Sequence, residues 1–164
     1  MKTFENLKTQ FPDAVESAWH HHTNGGGWVE NTARVDATAF VGPDAMVCDN
    51  AVVCDNAVVR GNARVGSNAV VYDTAQVYGT AQVYGNATVC DSARVYDTAQ
   101  VYGYALVCDN AVVCDNAWVR DNALVYGNAL VCGYATVYDN AVVCDDAVVS
   151  DNATVCDDAV VCGV

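Results

Sequence analysis

Cysteine and aspartate carry most of the chemistry available to this chain. All nine Cys recur in one slot of a six-residue rhythm, and three pairs are separated by eighteen residues: Cys90 and Cys108, Cys114 and Cys132, Cys144 and Cys162. If the fold brings residues i and i+18 together, such pairs come within disulfide reach on oxidation. Reduced thiols are the simpler expectation. A tetrahedral zinc site needs four convergent ligands, which a flat column of thiols does not supply. Asp55, Asp73, Asp91 and Asp109 share the same interval. Carboxylates stacked in this way repel one another, and a cation between them would relieve the repulsion. The plainer expectation is a solvated, solubilising corner. His20, His21 and His22 are the chain's three histidines; a run of this kind at a helix end is more commonly surface polarity than a metal site. No catalytic residue, cofactor or resident metal is therefore expected.

The rhythm that places these residues is strict. From Gly27 to Val164 the chain divides into 23 hexads, and one slot, from Val29 to Val161, is Val in all of them. The slot two residues earlier is Ala in 22, with Gly27 the exception. The slot before Ala is Asn in 11 and Thr in five. Ala-x-Val is period-2 spacing, which turns both side chains to one face of a strand. The residues that follow are Asp or Gly and then Asn, Thr or Asp, which favour turns and tolerate positive φ. Each hexad is thus a short strand and a corner. An α-helix is excluded, because a pair recurring every six residues walks around a 3.6-residue helix.

The closed solution has three corners and 18 residues per coil. Coils stack as parallel, in-register strands ~4.8 Å apart. The interior of such a triangular prism is thin, which accounts for Val and Ala in place of Leu. Asn stacks such as Asn110 with Asn128 are expected to form amide ladders that hold the register.

An aliphatic residue followed four places later by a small one, with Asn directly before the small one, resembles the hexapeptide-repeat, left-handed parallel β-helix family. The resemblance covers about five sixths of the chain. Residues 25–47, GGGWVENTARVDATAFVGPDAMV, look like the opening of uncharacterised bacterial and phage members of its non-enzymatic branch. One departure is local: the family's Gly or acidic residue directly after the aliphatic position is here Cys or Tyr, with Gly or Asp one place later. The fold expected is all-β, a left-handed parallel β-helix over residues 27–164, with a short helical cap over residues 1–26. In that cap Phe4, Leu7 and Phe11, then Val15, Ala18 and Trp19, have helical spacing. Their stripe is expected to cover the open bottom of the first coil, as terminal repeats require. The C-terminal coil has no such cover, so end-to-end stacking there is also expected.

Composition narrows the function. Twenty acidic and seven basic residues give a formal net charge of −13, which repels nucleic acid and anionic membranes. Neither a signal peptide nor a membrane-spanning run is apparent, and a reducing cytoplasm is expected. One outward face would carry Val52, Val70, Leu106, Leu124, Val142 and Val160 beside Cys54, Tyr72, Cys108, Tyr126, Cys144 and Cys162. An apolar strip of that length implies contact with another surface. The reading is a non-enzymatic structural or protein-binding rod, self-associating through that face as a dimer or trimer, with an unidentified protein as a further partner.

Three other readings were weighed. The family resemblance also implies acyltransferases and γ-type carbonic anhydrases, which use His on the coil; no repeat here contains one. An acidic DNA mimic that inhibits a DNA-binding enzyme is the main alternative. The repeat region holds 17 acidic residues and five Arg, a net −12, thinner along the rod than duplex DNA at one charge per ~1.7 Å. Ice binding calls for a regular outward Thr array, and outward Thr appears only at Thr88, Thr136 and Thr154.

Overall fold

The Ala-x-Val units form the expected strands. A computed structural model of the protein describes residues 2–163. Short strands recur at every hexad from Trp28–Glu30 to Val160–Cys162, most of them two residues long. They build three sheets, here called faces A, B and C, and the pairing along each is parallel and in register at an interval of 18 residues. Gln82 pairs with Gln100 and Val83 with Val101 on face A; Leu106 pairs with Leu124 on face B; Val112 pairs with Leu130 on face C. The result is an all-β parallel solenoid, a triangular prism of about eight coils. No helix among the described residues is long and apolar enough to cross a membrane.

The inward Val and Ala columns form one continuous core, from Val29 to Val155. From Ala39 to Val143 these side chains are fully buried. The space between three converging sheets takes one Ala and one Val per side, and like residues stack on like at each level. Burial of each Val contributes roughly 1.5–3 kcal/mol before entropy is subtracted.

The corners explain the aspartates. From Cys48 to Cys156, where a Cys or Tyr follows the inward Val, the next residue lies in the left-handed region: Asp55, Asp73, Asp91 and Asp109 have φ of 57–58°, and Gly103 has φ of 74°. Gly reaches this region freely and Asp more readily than most residues. A backbone N–H from Ala then closes the turn on the carbonyl three residues back, as in Ala57 to Cys54. Asp also gains a partner there. The Asp109 carboxylate accepts from the Gly127 N–H at 3.0 Å, and Asp115 from Gly133 at 2.9 Å. Asp55, Asp73 and Asp91 accept from the N–H of Asp73, Asp91 and Asp109 in turn, at 3.3–3.4 Å. Each carboxylate therefore faces a backbone donor one coil above, which offsets its repulsion from the next. The Asn ladder also forms: Asn110 donates to Asn128 at 3.3 Å, and Asn128 to Asp146 at 2.9 Å.

The N-terminal segment departs from the expected cap. Its helix α1 is a short one, Phe4–Lys8, held by a reciprocal Thr3–Asn6 capping box. A single 3₁₀ turn follows at Glu16–Ala18, and Trp19–His21 form a strand, β1, antiparallel to Trp28–Glu30. The apolar stripe does not cover the bottom of the first coil. Leu7 is buried with Trp19, Trp28, Met46 and Cys48, and Phe4 and Phe11 pack alongside. Trp28 and Met46 are outward residues of face A, so the segment lies against the side of the prism over its lowest coils. These two large side chains offer more apolar surface than the thin end of the tube, where Ala33 and Val35 stay partly exposed. The Arg64 guanidinium lies over the Phe11 ring at 4.2 Å and extends the contact to the next coil. Below, His22 is buried, with Nε2 hydrogen-bonded to the Ala39 carbonyl at 3.0 Å.

Two substitutions test this construction. Val107→Ala leaves a cavity in mid-column and is expected to lower stability by about 2 kcal/mol in denaturant unfolding. Asp109→Ala strains a left-handed residue and strips the Gly127 N–H of its acceptor, an expected loss of about 1–2 kcal/mol. Asp109→Gly removes the same acceptor without the strain and should lose measurably less.

Candidate functional site

Each hexad turns two columns outward: the residue between Ala and Val, and the residue after Val. On face B the first column runs Val52, Val70, Thr88, Leu106, Leu124, Val142 and Val160, with Arg34 at its foot. These side chains are half-buried by their neighbours, and Val160 is exposed. The second column is Cys54, Tyr72, Cys90, Cys108, Tyr126, Cys144 and Cys162. From Val52 to Cys162 neither column contains a charged residue, so face B carries a neutral, flat strip. Two thiols contribute little to its surface. Cys90 is buried, and so is Cys144, which the sequence placed in the strip: it lies beneath Cys162, to which it is joined by a disulfide with a Cα–Cα distance of 4.6 Å.

The other faces are aromatic and polar. Tyr78 stacks on Tyr96 with ring centroids 4.8 Å apart, and Tyr84 on Tyr102 at 4.9 Å. Arg60 lies over Tyr78 at 4.3 Å and Arg120 over Tyr138 at 4.1 Å. Trp118 is exposed on face A beside the exposed Tyr134, with Gln100 and Asn116 lining the same shallow hollow.

The remaining free thiols are Cys48, Cys54, Cys90, Cys108, Cys114, Cys132 and Cys156. Burial pushes Cys48 up to about 12 and Cys54 and Cys108 up to about 11, and neighbouring carboxylates add to the effect. Burial also raises Cys90, Cys114 and Cys132. Interaction with the Cys90 thiol raises the Tyr72 phenol to about 12, and Cys114 raises Tyr96 in the same way. The six thiols so raised, Cys48, Cys54, Cys90, Cys108, Cys114 and Cys132, are protonated at neutral pH and are poor nucleophiles.

The structure separates what the sequence had grouped. Asp55, Asp73, Asp91 and Asp109 form a column in which each carboxylate is bonded to a backbone N–H. Among the described residues, three groups bring three ligand-type atoms within 4.8 Å of one another: Cys90–Asp91–Cys108, Cys144–Asp145–Cys162 and Glu30–Cys48–Asp49. None contains two carboxylates of that column. Sequence reading treated thiol pairs and acid columns separately and so missed their convergence. The signal was present as Cys-Asp dipeptides 18 residues apart. Glu30 had no such signal; its carboxylate accepts from the Asp49 N–H at 2.6 Å because the first coil lacks a corner Asp below that point. His20, His21 and His22 converge on no cluster among the described residues; His20 and His22 are engaged by Asn31 and Ala39.

Comparison with known proteins gives one finding: residues 81–97 match the family model of the YdcK β-solenoid repeat. With the eight stacked coils, the match supports a β-helix family for the chain. No curated protein and no solved structure matches it.

The raised thiols make stability pH-dependent. In the unfolded chain they ionise near their ordinary value of 9, whereas in the folded chain they hold their protons up to about 11–12. Above pH 9 the unfolded state thus binds fewer protons than the folded one, and stability falls as pH rises. Thermal unfolding under reductant should show a constant midpoint below about pH 8 and a progressive drop between about pH 9 and 11.

Proposed function

We propose that this chain is a non-catalytic structural rod of the hexapeptide-repeat type that pairs with a second copy of itself through face B. The observation that carries this reading is the neutral apolar strip from Val52 to Val160, set on a molecule of net charge −13. Six steps of ~4.8 Å make the strip about 29 Å high. A two-fold axis lying in the plane of the interface and perpendicular to the rod would lay like columns against like, and a flat ladder is self-complementary in that arrangement. Pairing removes Val, Leu and Tyr from water, while the acidic corners at the edges of the strip stay solvated.

A rod rather than a catalyst is supported by the makeup of the faces. The histidines lie outside the repeat, and the thiols are held protonated by burial. The stacked tyrosines beside faces A and C suit a further protein partner. Seven free thiols fit a reducing compartment such as the cytoplasm.

Sedimentation at micromolar concentration is expected to give a dimer. Leu106→Lys with Leu124→Lys should yield monomers with an unchanged circular dichroism spectrum. A wild-type protein that sediments as a monomer overturns the reading.

A further inference from the structure

We infer that Cys90, Cys108 and Asp91 form a binding site for a soft, thiophilic metal ion of the zinc and cadmium class. The three ligand atoms lie within 4.8 Å of one another, and small side-chain rotations would close them on a single ion at the 2.0–2.3 Å bond lengths of carboxylate and thiolate. The backbone fixes their relation. The residues just before the two thiols, Val89 and Val107, are register partners in adjacent coils. Asp91 is a left-handed corner residue with φ of 57°. Its carboxylate is oriented from both sides, accepting from the Asp109 N–H at 3.3 Å and from the Cys90 thiol at 3.5 Å. The Tyr72 phenol, one coil below, interacts with the Cys90 thiol and would steady the thiolate that a metal requires. Three protein ligands leave the fourth position of a tetrahedral ion free for a further ligand.

The neighbouring thiol pair lacks one of these features. Cys114 and Cys132 have the same register on face C. There the Asp115 carboxylate accepts from the Gly133 N–H at 2.9 Å and lies 4.0 Å from the Cys114 sulfur, against 3.5 Å for Asp91 and Cys90, and Cys114, Asp115 and Cys132 are not among the groups whose ligand atoms all lie within 4.8 Å. That pair is a control built into the same molecule.

Binding exchanges protons for metal: two thiols and one divalent ion give a bis-thiolate complex and two free protons. With both thiols protonated at neutral pH, apparent affinity should rise about 100-fold per pH unit.

The experiment is titration of the reduced full-length protein with cadmium ion alone, without oxygen, followed by the ultraviolet thiolate-to-cadmium charge-transfer band. It is carried out in the C144S/C162S background, which removes the equivalent upper rung. The expected result is a band that C90S/C108S loses and C114S/C132S keeps, with Asp91→Asn weakening binding. Circular dichroism confirms that each variant is folded. A band unchanged in C90S/C108S, or lost equally in C114S/C132S, overturns the assignment. An affinity independent of pH between about 6 and 8 also overturns it, because binding would then not displace thiol protons.

Discussion

The interval of eighteen residues is the constraint on which the rest depends. Each side chain sits above the residue eighteen places earlier, bonded through the backbone at the strands and again at the corners. A prism with three sides then has an interior too narrow for a mixed core. The unbroken Val and Ala columns are the residues whose volumes repeat without a void or a clash at every level. A larger side chain at one level would push apart the coils above and below, so the packing demand propagates along the whole tube.

The same stacking concentrates like charges, and the corners show how the fold accommodates them. A positive φ excludes most residues and leaves Gly, Asp and Asn as the natural choices. Gly satisfies the backbone alone. Asp satisfies it and supplies an acceptor to the corner N–H one coil above. The acidity of the chain is thus in large part a by-product of how its turns are closed. It follows that a column of acids in such a repeat is weak evidence for a cation site unless a ligand of another kind enters it, as the thiols do at Asp91.

The outward faces differ because the inward columns leave them free. Face B gathers Val, Leu, Cys and Tyr into a neutral strip, whereas face A is interrupted by Arg64, Gln82, Gln100 and Trp118. The N-terminal segment occupies the low end of face A, where Trp28 and Met46 give it an apolar seat. Face B carries no such covering segment among the described residues, and the pairing of two copies proposed here draws on that asymmetry.

The six-residue period determined the strands, the corners, the three-sided coil, the pairing of residues eighteen apart and the membership of each face. These are local or strictly periodic properties, and a period survives translation along the axis unchanged. Tertiary structure decided what periodicity leaves open. It set the cap on the side of the prism, because residues 2–26 have no period and pack on the large apolar side chains Trp28 and Met46. It joined Cys144 to Cys162 and buried the lower thiol beneath the upper one, a pairing that the period allows and the side-chain packing decides. It set the Asp91 carboxylate closer to its thiol and farther from its backbone donor than Asp115, 3.5 and 3.3 Å against 4.0 and 2.9 Å, a difference of about half an ångström that two identical Cys-Asp dipeptides do not encode.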